Sequence, residues 1–503
     1  MPLDWQVCSR ARLTRDARFD GKFFIAVLTT GVYCRPICPA RTCKEHNVRY
    51  YATASAAAEA GFRPCLRCRP ECSPGTPAWL GTPSTVLRAL RLIDEGGLED
   101  GGVEVLAERL GVGPRHLRRL FLKHLGATPI TVAQTRRLQF AKKLIDETCL
   151  PMSQVALASG FGCVRRFNAS IRKAYNRTPT QIRALSKQSS LHAENHYTFH
   201  LHFRPPYHWS GMLAFLAAHA IPGVEVVASN TYRRSISLNG LHGYFEVTPD
   251  DGKDGLIVQL EFGAPRSLFL IIERVRSLFD LNADWVAIFE SIRTDSALRA
   301  QVDSAPGIRV PGCWDGFEVA VRAAMQRHMR ANQVNSLCGR MVREFGQPYS
   351  GHFGLTHVFP EPRALANAKL TAIGVPKPQA EAIQALARAV SDYRINFDRC
   401  VGTAVLIKQL TEIPGFANVE AQYIAMRALG EPDAFPSEYL DLHHGLQIGI
   451  AQLERRAQDW RPWRSYAAMC LWSVRHGLTS PSRAGELSPR PWPVDTAMPH
   501  SEA

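Results

Sequence analysis

Two close pairs of cysteines near the start of the chain, Cys34-x3-Cys38 and Cys65-x2-Cys68, restrict what this segment can fold into more than any other feature. A unit of about seventy residues buries little apolar surface and usually needs a cross-link or a metal to be stable. Two pairs of thiols are the donor set of a tetrahedral Zn2+ site. The second pair lies in Arg63-Pro64-Cys65-Leu66-Arg67-Cys68-Arg69-Pro70, a metal knuckle in form, whose basic residues suit a nearby phosphate. Cys65, Cys68 and Cys72 also offer three donors of their own. Because the two pairs already complete an all-thiolate shell, Cys43 and Cys72 are read as spare thiols and His46 as a surface residue.

The 13 cysteines would suit disulfides in a small secreted domain, but seven of them fall within the first 72 residues and the remainder are scattered singly, which favours metal over cross-links. No stretch approaches the length of a membrane span. The opening Met1-Pro2-Leu3-Asp4-Trp5 lacks the charged-then-apolar order of a signal peptide, so a cytoplasmic chain with no membrane partner is expected. A net charge of +15, with arginine-rich runs in the N-terminal part, points to nucleic acid, since phosphate neutralisation by Arg and Lys drives such binding.

With 503 residues the chain has room for several domains. The expected fold class is multidomain and mostly α with small α+β units. It comprises a zinc-bound unit over 1–75, a paired helix-turn-helix unit over 84–186, a small antiparallel-sheet unit over 196–283, an all-α unit over 284–480 and a disordered tail over 481–503. Residues 73–83, rich in Pro, Gly and Thr, read as a linker, and the polar run 186–198 as a second boundary. Between them Val103–Val112 is an amphipathic helix ending at a Gly turn, followed by Pro114–Lys123 with an arginine-rich outer face. Ser153–Phe161 and Cys163–Ala174 repeat the pattern, with Arg165, Arg166, Arg172 and Lys173 on the second helix. Each copy ends in Thr-Pro, at Thr128-Pro129 and Thr178-Pro179. Two copies with basic second helices are helix-turn-helix grammar. Further on, Tyr197–Phe203, Arg233–Leu238, Gly243–Val247 and Leu256–Phe262 alternate as strands do, and from Trp285 to about His476 the pattern is helical.

Thr29-Thr30-Gly31-Val32-Tyr33-Cys34-Arg35-Pro36-Ile37-Cys38-Pro39-Ala40-Arg41, with Gly61-Phe62-Arg63-Pro64-Cys65 and Cys68, resembles the N-terminal domain of the Ada alkylation-response family. The resemblance implies that Cys34 is both a zinc ligand, with Cys38, Cys65 and Cys68, and the acceptor of a methyl group from a DNA phosphotriester. It also implies that Thr30, Arg41 and Arg63 contact the DNA backbone. One family arginine is Pro39 here. The helical repeat resembles the AraC-type DNA-binding domain, which implies a transcriptional activator with operator DNA and RNA polymerase as partners.

From about Tyr197 the chain resembles the AlkA-type alkyl-base DNA glycosylases. The matching segments are Pro205-Pro206-Tyr207-His208-Trp209 with Met212–Leu216, Pro306–Cys313, and Trp460-Arg461-Pro462-Trp463-Arg464-Ser465-Tyr466. This resemblance implies a helix-hairpin-helix at Leu410–Gly415 and hydrolysis of the N-glycosidic bond of alkylated purines such as 3-methyladenine. Tyr423 and Trp472 match base-pocket positions. The family's catalytic aspartate falls on Tyr439 or Glu438, according to where a one-residue gap is placed; Glu438 keeps a carboxylate and is preferred, with Asp441 three residues on. A polar pair of the family is Gln326-Arg327 here, and departures at Ala417, Val419 and the aspartate position support a second reading, a methylation-sensing regulator whose C-terminal part only binds DNA.

Overall fold

The computed structural model describes residues 5–74, 84–94, 98, 102–185, 195–304, 306–326, 329–397, 402–438, 442, 446 and 448–475. Most of the expected linker, most of the polar boundary, the tail over 481–503, and Arg327, Tyr439 and Asp441 lie outside the described residues.

The N-terminal unit is a helix, Trp5–Thr14, against a four-stranded sheet of β1 (Phe24–Val27), β2 (Val32–Cys34), β3 (Val48–Tyr51) and β4 (Arg63–Pro64), in the order β3-β1-β2-β4. Both faces of β1 are covered, by Cys8, Ala11, Phe23, Ile25, Val27 and Val48 on one side and Phe24, Ala26, Tyr33, Ala54 and Ala57 on the other. The sheet pattern is therefore a short continuous apolar run rather than an alternation. β2 and β4 pair in parallel, Val32 opposite Arg63 and Tyr33 opposite Pro64.

The helix-turn-helix copies are Gly102–Arg109 with Pro114–Leu125, and Met152–Ala158 with Val164–Tyr175. In the second helices Leu117, Phe121 and Leu125, and then Phe167, Ile171 and Tyr175, are buried at four-residue spacing, while Arg115, Arg118, Arg119, Arg165, Arg166 and Arg172 are exposed. The Thr-Pro repeats have a structural role: Thr128 and Thr178 cap the next helix, each Oγ1 accepting the backbone N–H three residues on at 3.2 Å, with Pro at the first helical position.

The third unit is a five-stranded antiparallel sheet, β5 (His196–His202), β6 (Glu225–Ala228), β7 (Thr231–Leu238), β8 (Leu241–Pro249) and β9 (Gly255–Glu261), ordered β5-β9-β8-β7-β6. The edge strand β6 is not among the strands read from sequence. Its residues are half-buried or exposed without alternation, so no period marks it. A buried ion pair, Arg234 with Glu318, ties β7 to the helical part, and Ser235 Oγ donates to His357 O at 2.6 Å.

These units pack on one another. The end of the long helix Pro129–Glu147 is a junction of paired buried charges: Glu147 accepts from Arg69 Nη2 (2.8 Å) in the N-terminal unit and from the His200 N–H (3.3 Å) on β5, while Lys143 Nζ pairs with Glu147 (2.7 Å) and donates to His200 O (2.6 Å). Each buried charge meets an opposite one, as burial requires. His202 faces the same junction, and burial holds its imidazole down to about 3, so it adds no charge beside Arg35, Lys143 and Arg276.

Candidate metal centre and nucleic-acid interface

The parallel β2–β4 pairing builds the cysteine site. Arg63 N–H donates to Gly31 O (2.8 Å) and Cys65 N–H to Tyr33 O (3.0 Å), which sets Cys65 beside Cys34 at the strand ends. A turn closed by Cys38 N–H to Arg35 O (3.1 Å) brings Cys38 back, and the knuckle returns Cys68. The sulfurs of Cys34, Cys38, Cys65 and Cys68 lie within 4.8 Å of one another. Four thiols at this separation cannot all ionise unless a cation lies between them, and an all-sulfur donor set suits a soft divalent metal. The group excludes Cys43, Cys72 and His46; Cys72 is buried with its sulfur 4.0 Å from Glu147 Oε1, and His46 is exposed.

Cys34 is 7% exposed, and Cys38 and Cys65 are half-buried. Thr30 is exposed on the turn before β2, and Arg63 Nη2 reaches its carbonyl at 3.5 Å, so two of the expected DNA contacts sit together beside Cys34. Arg41 is exposed on the loop between β2 and β3, as is Pro39. β4 packs against the helix Val164–Tyr175, with Leu66 against the second helix-turn-helix core. The cysteine site thus adjoins the second helix of the second helix-turn-helix copy.

In the C-terminal half the helices Thr403–Thr411 and Asn418–Ile424 flank a hairpin at Glu412–Ala417. Gly415 turns it at φ +92°, and a Cβ there would lie 2.7 Å from Ala382 Cβ. Gly415→Ala is therefore expected to cost about 1–3 kcal/mol of stability, read from chemical denaturation, and to weaken duplex binding measured by anisotropy.

Tyr423 and Trp472 are both buried and meet through shared neighbours. Arg427 donates from Nη1 to Tyr423 Oη (2.6 Å), and its guanidinium lies over the Phe215 ring at 4.8 Å. Trp472 packs edge-on to the same Phe215, with centroids 4.9 Å apart, and His219 stacks on it at 4.2 Å. Sequence reasoning did not single out Arg427, although a charged residue inside the apolar run Ile424–Leu429 was the available signal. Val419, at a half-buried position, adds no ring.

Glu438 is exposed on a turn whose preceding residues are firmly held. Ser437 Oγ donates to Glu454 Oε1 (2.8 Å), and Phe435 N–H donates to Gln422 Oε1 (3.2 Å). Ser465 Oγ donates to Glu431 O (2.7 Å) and Ala434 O (2.8 Å), and Arg464 pairs with Asp433 at 2.7 Å. The Trp460–Tyr466 segment is thus the clamp that fixes this turn. Gln326 ends the helix Gly316–Gln326.

Models of three known families match successive parts of the chain: the metal-binding domain of Ada over residues 7–71, a helix-turn-helix domain over 106–184, and the AlkA N-terminal domain over 198–315. The chain is 40% identical over 485 residues to a Mycobacterium tuberculosis protein described as a probable bifunctional transcriptional activator/DNA repair enzyme AlkA, covering 94% of this chain and 96% of that one. It is 32% identical over 276 residues to the Escherichia coli DNA-3-methyladenine glycosylase 2, covering 54% of this chain and 95% of that one. Its N-terminal part is 43% identical over 117 residues to the Escherichia coli bifunctional transcriptional activator/DNA repair enzyme Ada, covering 23% of this chain and 32% of that one. Fold and sites together define a DNA-acting protein with a cysteine metal centre, two helix-turn-helix units and a glycosylase-type C-terminal half. The chain belongs to the AlkA family of bifunctional transcriptional activators and DNA repair enzymes.

Proposed function

We propose that this chain senses DNA methylation damage, activates transcription in response, and excises alkylated purines such as 3-methyladenine. The carrying observation is the four-sulfur cluster beside exposed Thr30 and half-buried Arg63, on the segment matched by the Ada metal-binding family. The proposed units span 1–75, 84–186, 196–283 and 284–480. Cys34, Cys38, Cys65 and Cys68 would hold Zn2+, which when bound keeps its sulfur ligands deprotonated at neutral pH. The Cys34 sulfur uses a lone pair to form a C–S bond with the methyl carbon of a methylphosphotriester. The methyl C–O bond breaks with its electrons on the phosphate oxygen, leaving a phosphodiester anion and a thioether. Arg63, Arg41 and Thr30 hold the backbone in place. Four thiolates around a dication carry a net charge of about −2; methylation removes one negative charge, repulsion from DNA falls, and the helix-turn-helix pair binds its operator and recruits RNA polymerase. The setting is cytoplasmic.

In the C-terminal half a flipped purine would stack by Tyr423 and Trp472, with the hairpin holding the duplex. As the C1′–N bond breaks its electron pair leaves with the cationic alkylated base, which departs neutral, and positive charge grows on the sugar; the Glu438 carboxylate stabilises that charge while water adds at C1′ and passes its proton to solvent. A regulator with an inert C-terminal half is not favoured, since the similarity to the glycosylase relative runs through nearly its whole length. The test is to incubate the purified protein with methylated duplex and look for both a methyl group on the protein and free 3-methyladenine.

A further inference from the structure

The metal centre is wired to the C-terminal half through buried polar contacts. Arg35, next to Cys34, is 4% exposed. Its backbone N–H donates to Cys68 Sγ (3.3 Å) and its Nη1 to Cys68 O (3.2 Å). The same guanidinium grips the buried Asp20 carboxylate, with Nε 2.9 Å from Oδ1 and Nη2 against Oδ2. Asp20 O then accepts from Arg204 Nε (2.8 Å). Arg204, 1% exposed, donates from Nη1 to Asn282 O (2.7 Å), and its own carbonyl accepts from Arg309 Nη2 (2.7 Å). Two residues after Asp20, Lys22 Nζ pairs with the buried Asp284 at 2.7 Å. Between them Gly21 has φ +73°, and a Cβ there would lie 2.1 Å from Pro74 O and 3.1 Å from Arg204 Nη2, so the loop is seated without slack.

From this chain of contacts we infer that the charge on the metal centre sets how firmly residues 20–22 seat on the C-terminal half, and that methyl acceptance loosens the seat. The inference rests on the methyl-acceptor reading above. Arg35 and Asp20 form a buried dipole with its positive end toward the sulfurs, where little water screens the interaction. Taking the cluster from about −2 to about −1 roughly halves the field that orients the dipole. The Arg35–Asp20 pair, still bonded to each other, then gains less as a unit from pointing its positive end at the sulfurs, and the backbone carbonyl of Asp20 that Arg204 clasps loses part of what fixes its position. A methylated sensor is thereby freed to follow operator DNA while the C-terminal half keeps its own fold.

Hydrogen–deuterium exchange on the whole protein, before and after reaction with methylated duplex and with metal retention checked by native mass spectrometry, tests this. The amides of Asp20 and Lys22 are tied into local turns, to Ala17 O (3.1 Å) and Phe19 O (3.0 Å), and report opening of the loop. Once a methyl group is found on the sensor, their exchange is expected to rise at least about threefold, with helix Lys377–Ser391 unchanged. A methylated protein with unchanged exchange would overturn the inference and leave the methyl-acceptor reading standing. Absence of any methyl group would overturn that reading and the inference with it. Arg204→Met should raise exchange in residues 17–23 whether or not the protein is methylated; no rise would remove Arg204 from the path.

Discussion

Cys34→Ser is expected to abolish methyl transfer from methylphosphotriester DNA while leaving base release intact. A serine hydroxyl is not ionised at neutral pH, and a thiolate is the stronger nucleophile. The cluster keeps three sulfurs, so metal content measured alongside transfer separates loss of the nucleophile from loss of the site. Peptide mapping of the reacted parent protein gives an answer independent of any variant. The methyl group should lie on the peptide containing Cys34; finding it on Cys38 or Cys65, the half-buried members of the cluster, would move the acceptor to that residue.

Glu438→Gln is expected to slow 3-methyladenine release by about 10²–10³, the usual size of losing one preorganised electrostatic stabiliser. Glu438 is exposed, so stability should stay within about 0.5 kcal/mol of the parent. Duplex affinity should also be nearly unchanged, because the amide keeps the size of the side chain and the clamp through Ser437, Phe435 and Ser465 does not involve it. A variant releasing base at the parent rate would show that another group carries the charge stabilisation.

The features legible in the sequence are those whose chemistry is local. The cysteine pairs are legible because thiol spacing alone defines a donor set, and the helix-turn-helix copies because four-residue burial at Leu117, Phe121 and Leu125 repeats at Phe167, Ile171 and Tyr175, with a Thr-Pro cap after each. The hairpin at Gly415 is legible only through the resemblance of the surrounding segments, since six turn residues alone suit an ordinary helical turn equally well. The four-stranded N-terminal sheet was not, because its strands are two to four residues long and β1 is covered on both faces. Phe215 escaped notice as a neighbour of Tyr423 and Trp472 because its helix lies about two hundred residues away in the chain, whereas Arg427 is only one helical turn from Tyr423 and was masked by the apolar run around it. The seat of Asp20 on Arg204 is a contact 184 residues apart in sequence, between units that each look complete when read alone.

The most direct test of a bifunctional damage sensor and glycosylase is one reaction with two readouts: purified protein, methylated duplex DNA, intact-protein mass spectrometry and chromatography of the released bases. The prediction is one methyl group per protein, accepted once and not turned over, together with 3-methyladenine released over repeated turnovers. Base release with no mass change, or methyl acceptance with no free base, would contradict the joint assignment and leave only one half of it.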